Sequence, residues 1–224
     1  MPGFVQYANV VVNFNRFNMT SIILAGGKSS RLGRSKALQT IGDKSLIQWV
    51  IDRLVTLSTE IVVVMAHGEA IPCSSTTGIR TVADVYPSKS PLVGIYSGLI
   101  ASASPRAIVV GCDMPFLNAS LLKYMAQTCS SFDIVVPQIE DKLEPLCAVY
   151  SKTCVVPIRW LLEQNELMIS KLFTLVKVKY VKKDDINRFD PEHLSFFNIN
   201  SKTDLGKAKK LAAEKGWLQC GYNS

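Results

Sequence analysis

Histidine is scarce: the chain has two, His67 and His193, and neither sits near a Cys-x-x-Cys pair. The ligand spacing of a structural zinc site is therefore missing. The six cysteines, Cys73, Cys112, Cys129, Cys147, Cys154 and Cys220, fall largely in apolar surroundings. Cysteine there behaves as a small hydrophobe, which fits the reduced interior of a cell better than a disulfide scaffold. No stretch approaches the ~18 apolar residues of a membrane span. With 48% hydrophobic and 19% charged residues, the composition is that of a soluble globular protein, and the expected location is the cytoplasm. Internal repeats and low-complexity tracts are absent too.

Positive charge is in excess, at a net +7, but it is scattered. Lys202, Lys207, Lys209, Lys210 and Lys215 alternate with apolar residues and read as the solvated face of a helix, not as an RNA surface. Neither nucleic acid nor membrane is expected as a partner. A diffuse positive field does favour an anionic small molecule. Residues 1–18 lack the basic start, long apolar stretch and small-residue cleavage site of a signal peptide. Met19 immediately precedes the first convincing strand, so the reading is a disordered or artefactual extension (1–18), one domain (19–216) and a short tail (217–224).

Strand-like apolar runs alternate with helix-length periodic segments, the pattern of βαβ units around a mostly parallel sheet. Strands are expected at 21–25, 60–66, 79–82, 107–111, 133–137, 146–150 and 177–181. Helices are expected at 46–57, 91–101 (opened by Pro91), 118–128 (capped by Asn118), 153–164, 169–175 and 204–215. The charged segment 182–193 reads as loop.

Three segments carry chemistry. The sequence LAGGKSSRLGRSK, residues 24–36, directly follows the first strand, and open α/β sheets bind ligands at the carboxyl ends of their strands. Gly26 and Gly27 let the backbone turn sharply and bring N–H groups against phosphate oxygens, while Arg31 and Lys36 add positive charge for a triphosphate. Neither G-x-G-x-x-G nor a P-loop fits the spacing. The second segment, VVGCDMP, ends an apolar strand in Asp113, a hard oxygen ligand of the kind that holds Mg²⁺ together with substrate phosphates. A turn-forming aspartate before Pro115 has the same appearance. The third joins Asp84 to PLVGI, where Gly94 permits close approach of a ligand or of neighbouring backbone. Asp84 itself reads as a metal or ribose ligand, or as a solvated loop residue.

In order along the chain, LAGGKSSRLGRSK, SPLVGIYSGL, VVGCDMPFL, EPLCAVY and FFNINSKTDL resemble the motifs of the MobA-like nucleotidyltransferases, over residues 21–213. The resemblance implies a Rossmann-like, three-layer α/β/α fold and an enzyme that transfers GMP from GTP to a molybdopterin-type acceptor, releasing pyrophosphate, with Mg²⁺ required. It further implies that Leu24, Ala25, Gly26 and Asp84 contact the nucleotide, Lys36 the phosphates, Asp113 the Mg²⁺, and Asn198 and Asn200 the acceptor. Molybdenum-insertion proteins and recipient molybdoenzymes follow as possible partners. Such chemistry needs positioning and charge neutralisation, with no Ser, Cys or His nucleophile.

Several positions depart from the family pattern: Ser35 before Lys36, Met65, Ala66 and His67 where an asparagine is common, Leu32 for Met, and Glu144 for a frequent His. Related transferases use CTP, or use GTP on cobinamide phosphate or phospholactate; Leu-Ala-Gly-Gly favours guanine over the cytidine branch. A silent nucleotide sensor is a further alternative, opposed by the joint presence of Lys36 and Asp113. A chain started at Met19 is expected to fold and keep its activity, and loss of the cooperative unfolding transition in that truncation refutes the extension reading.

Overall fold

The computed structural model describes residues 17–26, 36–66, 78–87 and 90–218. Its frame is a sheet in which the first strand, β1 (Phe17–Leu24), is central. β1 pairs in parallel with β4 (Ser58–Met65) on one side and β6 (Arg106–Gly111) on the other, and β5 (Ile79–Ala83) extends the sheet in parallel beyond β4. These strands read as near-continuous apolar runs because both faces of a parallel sheet are covered. Along β1, Ile23 enters one core while Ile22 and Leu24 enter the other, the period-two alternation of a pleated strand.

The second half of the sheet changes direction. β9 (Cys147–Ser151) lies antiparallel between β6 and β7 (Ile134–Ile139), and β10 (Val178–Lys182) pairs in parallel with the far side of β7. The short β8 (Lys142–Leu143) forms a hairpin with the end of β7. β7 and β10 therefore run with β6, so all six parallel-running strands direct their carboxyl ends to one edge. A two-stranded hairpin, β2 (Thr40–Ile41) with β3 (Lys44–Ser45), stands apart.

Helices cover both faces, giving three layers. α1 (Leu46–Leu54), α3 (Ala119–Gln127) and α6 (Lys183–Asn187) pack on one core, with α2 (Pro91–Ala101), α4 (Val155–Glu163) and α5 (Ile169–Leu172) on the other. α2 is apolar almost all round, as a helix held between a sheet and another helix must be. It lies so close to β1 that a Cβ on Gly98 would come 2.5 Å from Ile22 Cγ2. α7 (Lys202–Glu214) covers a third apolar cluster of Ile41, Leu46, Trp49, Phe116 and Ile199. A capping box of Ser201 and Asp204 starts it.

The strand–helix alternation and mostly parallel sheet match the sequence reading, and the α2 bounds coincide with it. Three differences stand out. Segment 182–193 is not all loop: its first residues form α6, which buries Ile186 beneath an otherwise charged surface. The strand expected at 146–150 is antiparallel to its neighbours, which apolar content alone does not reveal. The β2–β3 and β7–β8 pairings were too short to register as periodic patterns. Four described cysteines, Cys112, Cys129, Cys147 and Cys154, are buried and outside any disulfide; burial foremost pushes the Cys147 and Cys154 thiols up, to about 12 for Cys154, which keeps both protonated and inert. Cys73 and Cys220 lie outside the described residues. Among those described, no helix is long and apolar enough to cross a membrane.

The buried Asp190 carboxylate organises the segment after α6 by accepting bonds from Leu194 N–H (3.1 Å) and Ser195 N–H (2.8 Å). Ser195 Oγ in turn accepts from Asn118 N–H at the start of α3. Asp190→Ala removes two charge-assisted bonds from a dry site and is expected to destabilise the fold by about 3 kcal/mol; urea denaturation measures it.

Candidate active site

Three chain segments converge where the parallel strands end, because the ladder continues one residue past each. Ala25 N–H donates to Val64 O (2.8 Å), Asp84 N–H to Met65 O (2.8 Å) and Cys112 N–H to Leu24 O (3.1 Å). Leu24, Ala25, Gly26, Asp84 and Asp113 thereby come to line one cavity of about 140 Å³, together with Val64, Ser90, Pro91, Gly94, Gly111, Cys112 and Leu146. Whole-ligand pockets commonly span about 300–1,000 Å³, so this space seats part of a nucleotide-sized molecule and leaves the rest in the open cleft.

Two glycines make the close approaches possible. A Cβ on Gly26 would come 2.6 Å from Ala66 N, so only glycine lets the chain leaving β1 cross the end of β4. A Cβ on Gly111 would come 2.6 Å from Asp113 Oδ1, so the missing side chain is the space in which that carboxylate rests. Gly94 performs a milder version of the same service. Its Cα faces Leu24 and Asp84 across the cavity, where a Cβ would stand 3.1 Å from Leu24 Cδ2 and 3.8 Å from Asp84 Oδ1. The contact with Leu24 is what a packing glycine requires.

The electrostatics are uneven. Asp84 Oδ1 is buried and has no hydrogen-bond partner among the described residues. Burial pushes the Asp84 carboxyl above the usual carboxylate range, with the Ser97 hydroxyl pulling the other way. A solvated loop residue does not have these properties. α2 points its amino end at the same space: Ser90 caps it by accepting from Leu92 N–H (3.2 Å), and Pro91 occupies the first turn. The positive end of that helix favours negative charge in the cleft.

Asp113 is tied to the last third of the chain. Its carbonyl accepts from Ile199 N–H (3.0 Å), which sets Asn198 and Asn200 on either side of that bond, adjacent to Asp113 but outside the cavity wall. Asn198 Nδ2 donates to Phe196 O (3.1 Å), and Asn200 N–H donates to Asp204 Oδ2 (3.1 Å), so both flanks are held. Gly27 and Arg31 lie outside the described residues, as do Leu32, Ser35 and His67. Lys36 begins a short 3-10 turn (Lys36–Leu38), and its side chain is likewise outside the description.

Sequence reasoning assigned no role to Val64, Ser90, Gly111 or Leu146, although each falls in or beside a motif it had singled out. Their signal was position at a strand or helix end. Glu144, where the family often has His, is almost buried and pairs with Lys142 Nζ at 2.6 Å. Among the described residues no group of three or more His, Cys, Asp or Glu gathers as a ready metal cage.

Comparison with known proteins agrees with this geometry. Residues 21–177 match the MobA-like NTP transferase domain. A probable molybdenum cofactor guanylyltransferase from Pelotomaculum thermopropionicum is 34% identical over 86% of this chain and 93% of its own length. A molybdenum cofactor guanylyltransferase from Desulfosudis oleivorans is 32% identical over 85% of this chain and 94% of its own. The crystal structure of molybdopterin-guanine dinucleotide biosynthesis protein A from Archaeoglobus fulgidus superposes with a TM-score of 0.77 at 25% identity, covering 88% of this chain and all of that one. A family model over most of the chain and relatives more than 30% identical along nearly its whole length lead to one conclusion: the chain belongs to the MobA-like NTP transferase family.

Proposed function

We propose that this protein is a molybdenum cofactor guanylyltransferase, transferring GMP from GTP to Mo-molybdopterin and releasing pyrophosphate. The observation that carries the choice of base is Asp84, a wall residue of the cavity with a buried oxygen that has no hydrogen-bond partner among the described residues. An ionised carboxylate only accepts hydrogen bonds. Guanine offers it two adjacent donors, N1–H and the exocyclic amine, whereas adenine and cytosine present a ring-nitrogen acceptor at the corresponding position. Binding GTP would end the isolation of this oxygen, and an unpaired polar group discriminates strongly against ligands that leave it unpaired.

In the reaction an oxygen of the acceptor phosphate attacks the α-phosphorus, the bond to the β-phosphate oxygen breaks, and pyrophosphate leaves. Gly26 and its neighbours hold the nucleotide against β1 through backbone N–H groups, Lys36 and Arg31 stabilise phosphate charge, and the amino end of α2 adds a fixed positive field. Asn198 and Asn200 orient the acceptor beside Asp113. The donor set fits Mg²⁺, since a hard carboxylate cradled over Gly111, with no protein cage among the described residues, suits a cation that takes its other ligands from phosphates and water. Bound through Asp113, that ion would neutralise charge on the phosphates.

Pyrophosphate release with GTP, Mo-molybdopterin and Mg²⁺ tests the reading; strict dependence on CTP overturns it. Asp113→Ala and Lys36→Ala are each expected to lower turnover by at least about 10²-fold, and chelation with EDTA to abolish it. Asp84→Asn has a two-sided signature. Because burial raises the folded-state value, the folded protein binds more protons than the unfolded one above the ordinary carboxylate range, so Asp84 costs stability as pH rises through that range and beyond. The variant is expected to bind GTP more weakly yet melt at a higher Tm at pH 7, the Tm gain shrinking as pH falls toward the ordinary carboxylate range and vanishing below it; thermal scans across pH check it.

A further inference from the structure

The nucleotide walls of the cavity come from β1, β4, β5, β6 and α2, with one exception, Leu146, which belongs to the approach to β9. β6 thus divides the carboxyl edge into a nucleotide half and a second half formed by β8, β7 and β10. An attacking acceptor must reach the α-phosphorus from outside the nucleotide walls, which leaves this second half as its path.

Register aligns three side chains there. Lys182 stands opposite Gln138 in the β10–β7 pair, and Gln138 stands opposite Leu143 in the β7–β8 pair, making one row across three strands. Residues directly opposite share a face. Leu143 packs against the core beneath α2 and α4, as do Val136 and Val178 two and four positions before Gln138 and Lys182, and Leu24 and Val64 of the cavity wall, so the row occupies the same face as the cavity. Its floor near Asp113 is apolar, and its far end is cationic. Lys182 Nζ donates to Gln138 Oε1 (2.6 Å) and lies 5.6 Å from the centre of the Tyr180 ring, meeting no carboxylate among the described residues. With Gln138 Oε1 engaged, the amide nitrogen still carries two N–H donors. Three strand spacings of about 4.8 Å put β10 roughly 14 Å from the Asp113 strand. A loop is tied to the cap of α2: Ser90 Oγ donates to Leu167 O (3.1 Å), and Leu167 and Met168 are exposed.

We infer that the row Leu146, Leu143, Gln138 and Lys182 binds the body of the phosphorylated acceptor, with Lys182 holding an anionic or acceptor-rich group at the end remote from its phosphate. This rests on the reading of the chain as a nucleotidyltransferase with a phosphorylated acceptor. The ligand class is an elongated molecule, reactive phosphate at one end, apolar or flat in the middle and electron-rich at the other. A lysine on an edge strand also guards against strand pairing between molecules, but that role asks neither for the bond to Gln138 nor for alignment with the cavity wall.

Steady-state kinetics on the full chain separate the two. Acceptor and GTP KM are measured for the wild type, Lys182→Ala, Lys182→Arg, Lys182→Glu and the surface control Lys209→Ala, with direct calorimetric titration of Mo-molybdopterin into each. Lys182→Ala is expected to raise acceptor KM and Kd about ten-fold with GTP KM and Tm unchanged, Lys182→Glu to raise them further, and Lys182→Arg and Lys209→Ala to stay near wild type. Unchanged acceptor KM and Kd in Lys182→Ala and Lys182→Glu, with an active wild type, overturn the inference and leave the function standing. Aggregation or lowered Tm without a selective acceptor effect assigns Lys182 to edge protection and overturns it too. Turnover only with CTP or with cobinamide phosphate overturns the proposed function, while the same KM comparison on that substrate still decides the role of Lys182. A wild type that neither binds nor uses any of these acceptors overturns both.

Discussion

Everything at the site hangs on the parallel pairing of β1 with β4 on one side and β6 on the other. Residues from opposite sides of β1 meet only because four neighbouring strands, β6, β1, β4 and β5, end together. Ala25, Asp84 and Cys112 are then carried one residue beyond the sheet on backbone hydrogen bonds of 2.8–3.1 Å, so their positions derive from the most rigid part of the molecule. Glycine at positions 26 and 111 converts that rigidity into usable space, one letting a chain cross, the other making room for a carboxylate.

The same rigidity explains how Asp84 is maintained. A buried carboxylate oxygen without a donor is a local cost that a fold tolerates only where neighbouring structure over-determines the position. Here the Asp84 amide is fixed to Met65 O and the next amide, Val85 N–H, to Ser97 Oγ at 3.1 Å, so the side chain has little freedom to escape to solvent. On the proposed function, this oxygen, unpaired among the described residues, is the one that the guanine edge would satisfy. Ligand recognition and local instability are two aspects of one arrangement.

The alternation of strand and helix was legible because buried parallel strands leave apolar runs, and Asp113 and Gly26 were legible because each terminates such a run. The direction of β9 was not, since an antiparallel strand buried on both faces carries the same apolar signature as a parallel one. α6 was hidden by its charge: Ile186 is its only buried residue, too little for a helical period. Asp84 was visible as a candidate, but its isolation depends on Gly94, Leu24 and Ser97, which no local pattern connects. Leu146 became a wall only through the bond from Gly111 N–H to its carbonyl (3.1 Å), a contact across thirty-five positions of sequence.

The bond from Ile199 N–H to the Asp113 carbonyl has a consequence for how the protein is made. The nucleotide walls are complete once residue 146 has been synthesised, yet the flank of Asp113 stays open until a segment more than fifty residues later arrives, and that segment depends on Asp190 and on the cap of α7 for its shape. The residues that line the cavity are all made before the segment that closes the flank of Asp113, and one late backbone contact joins the two.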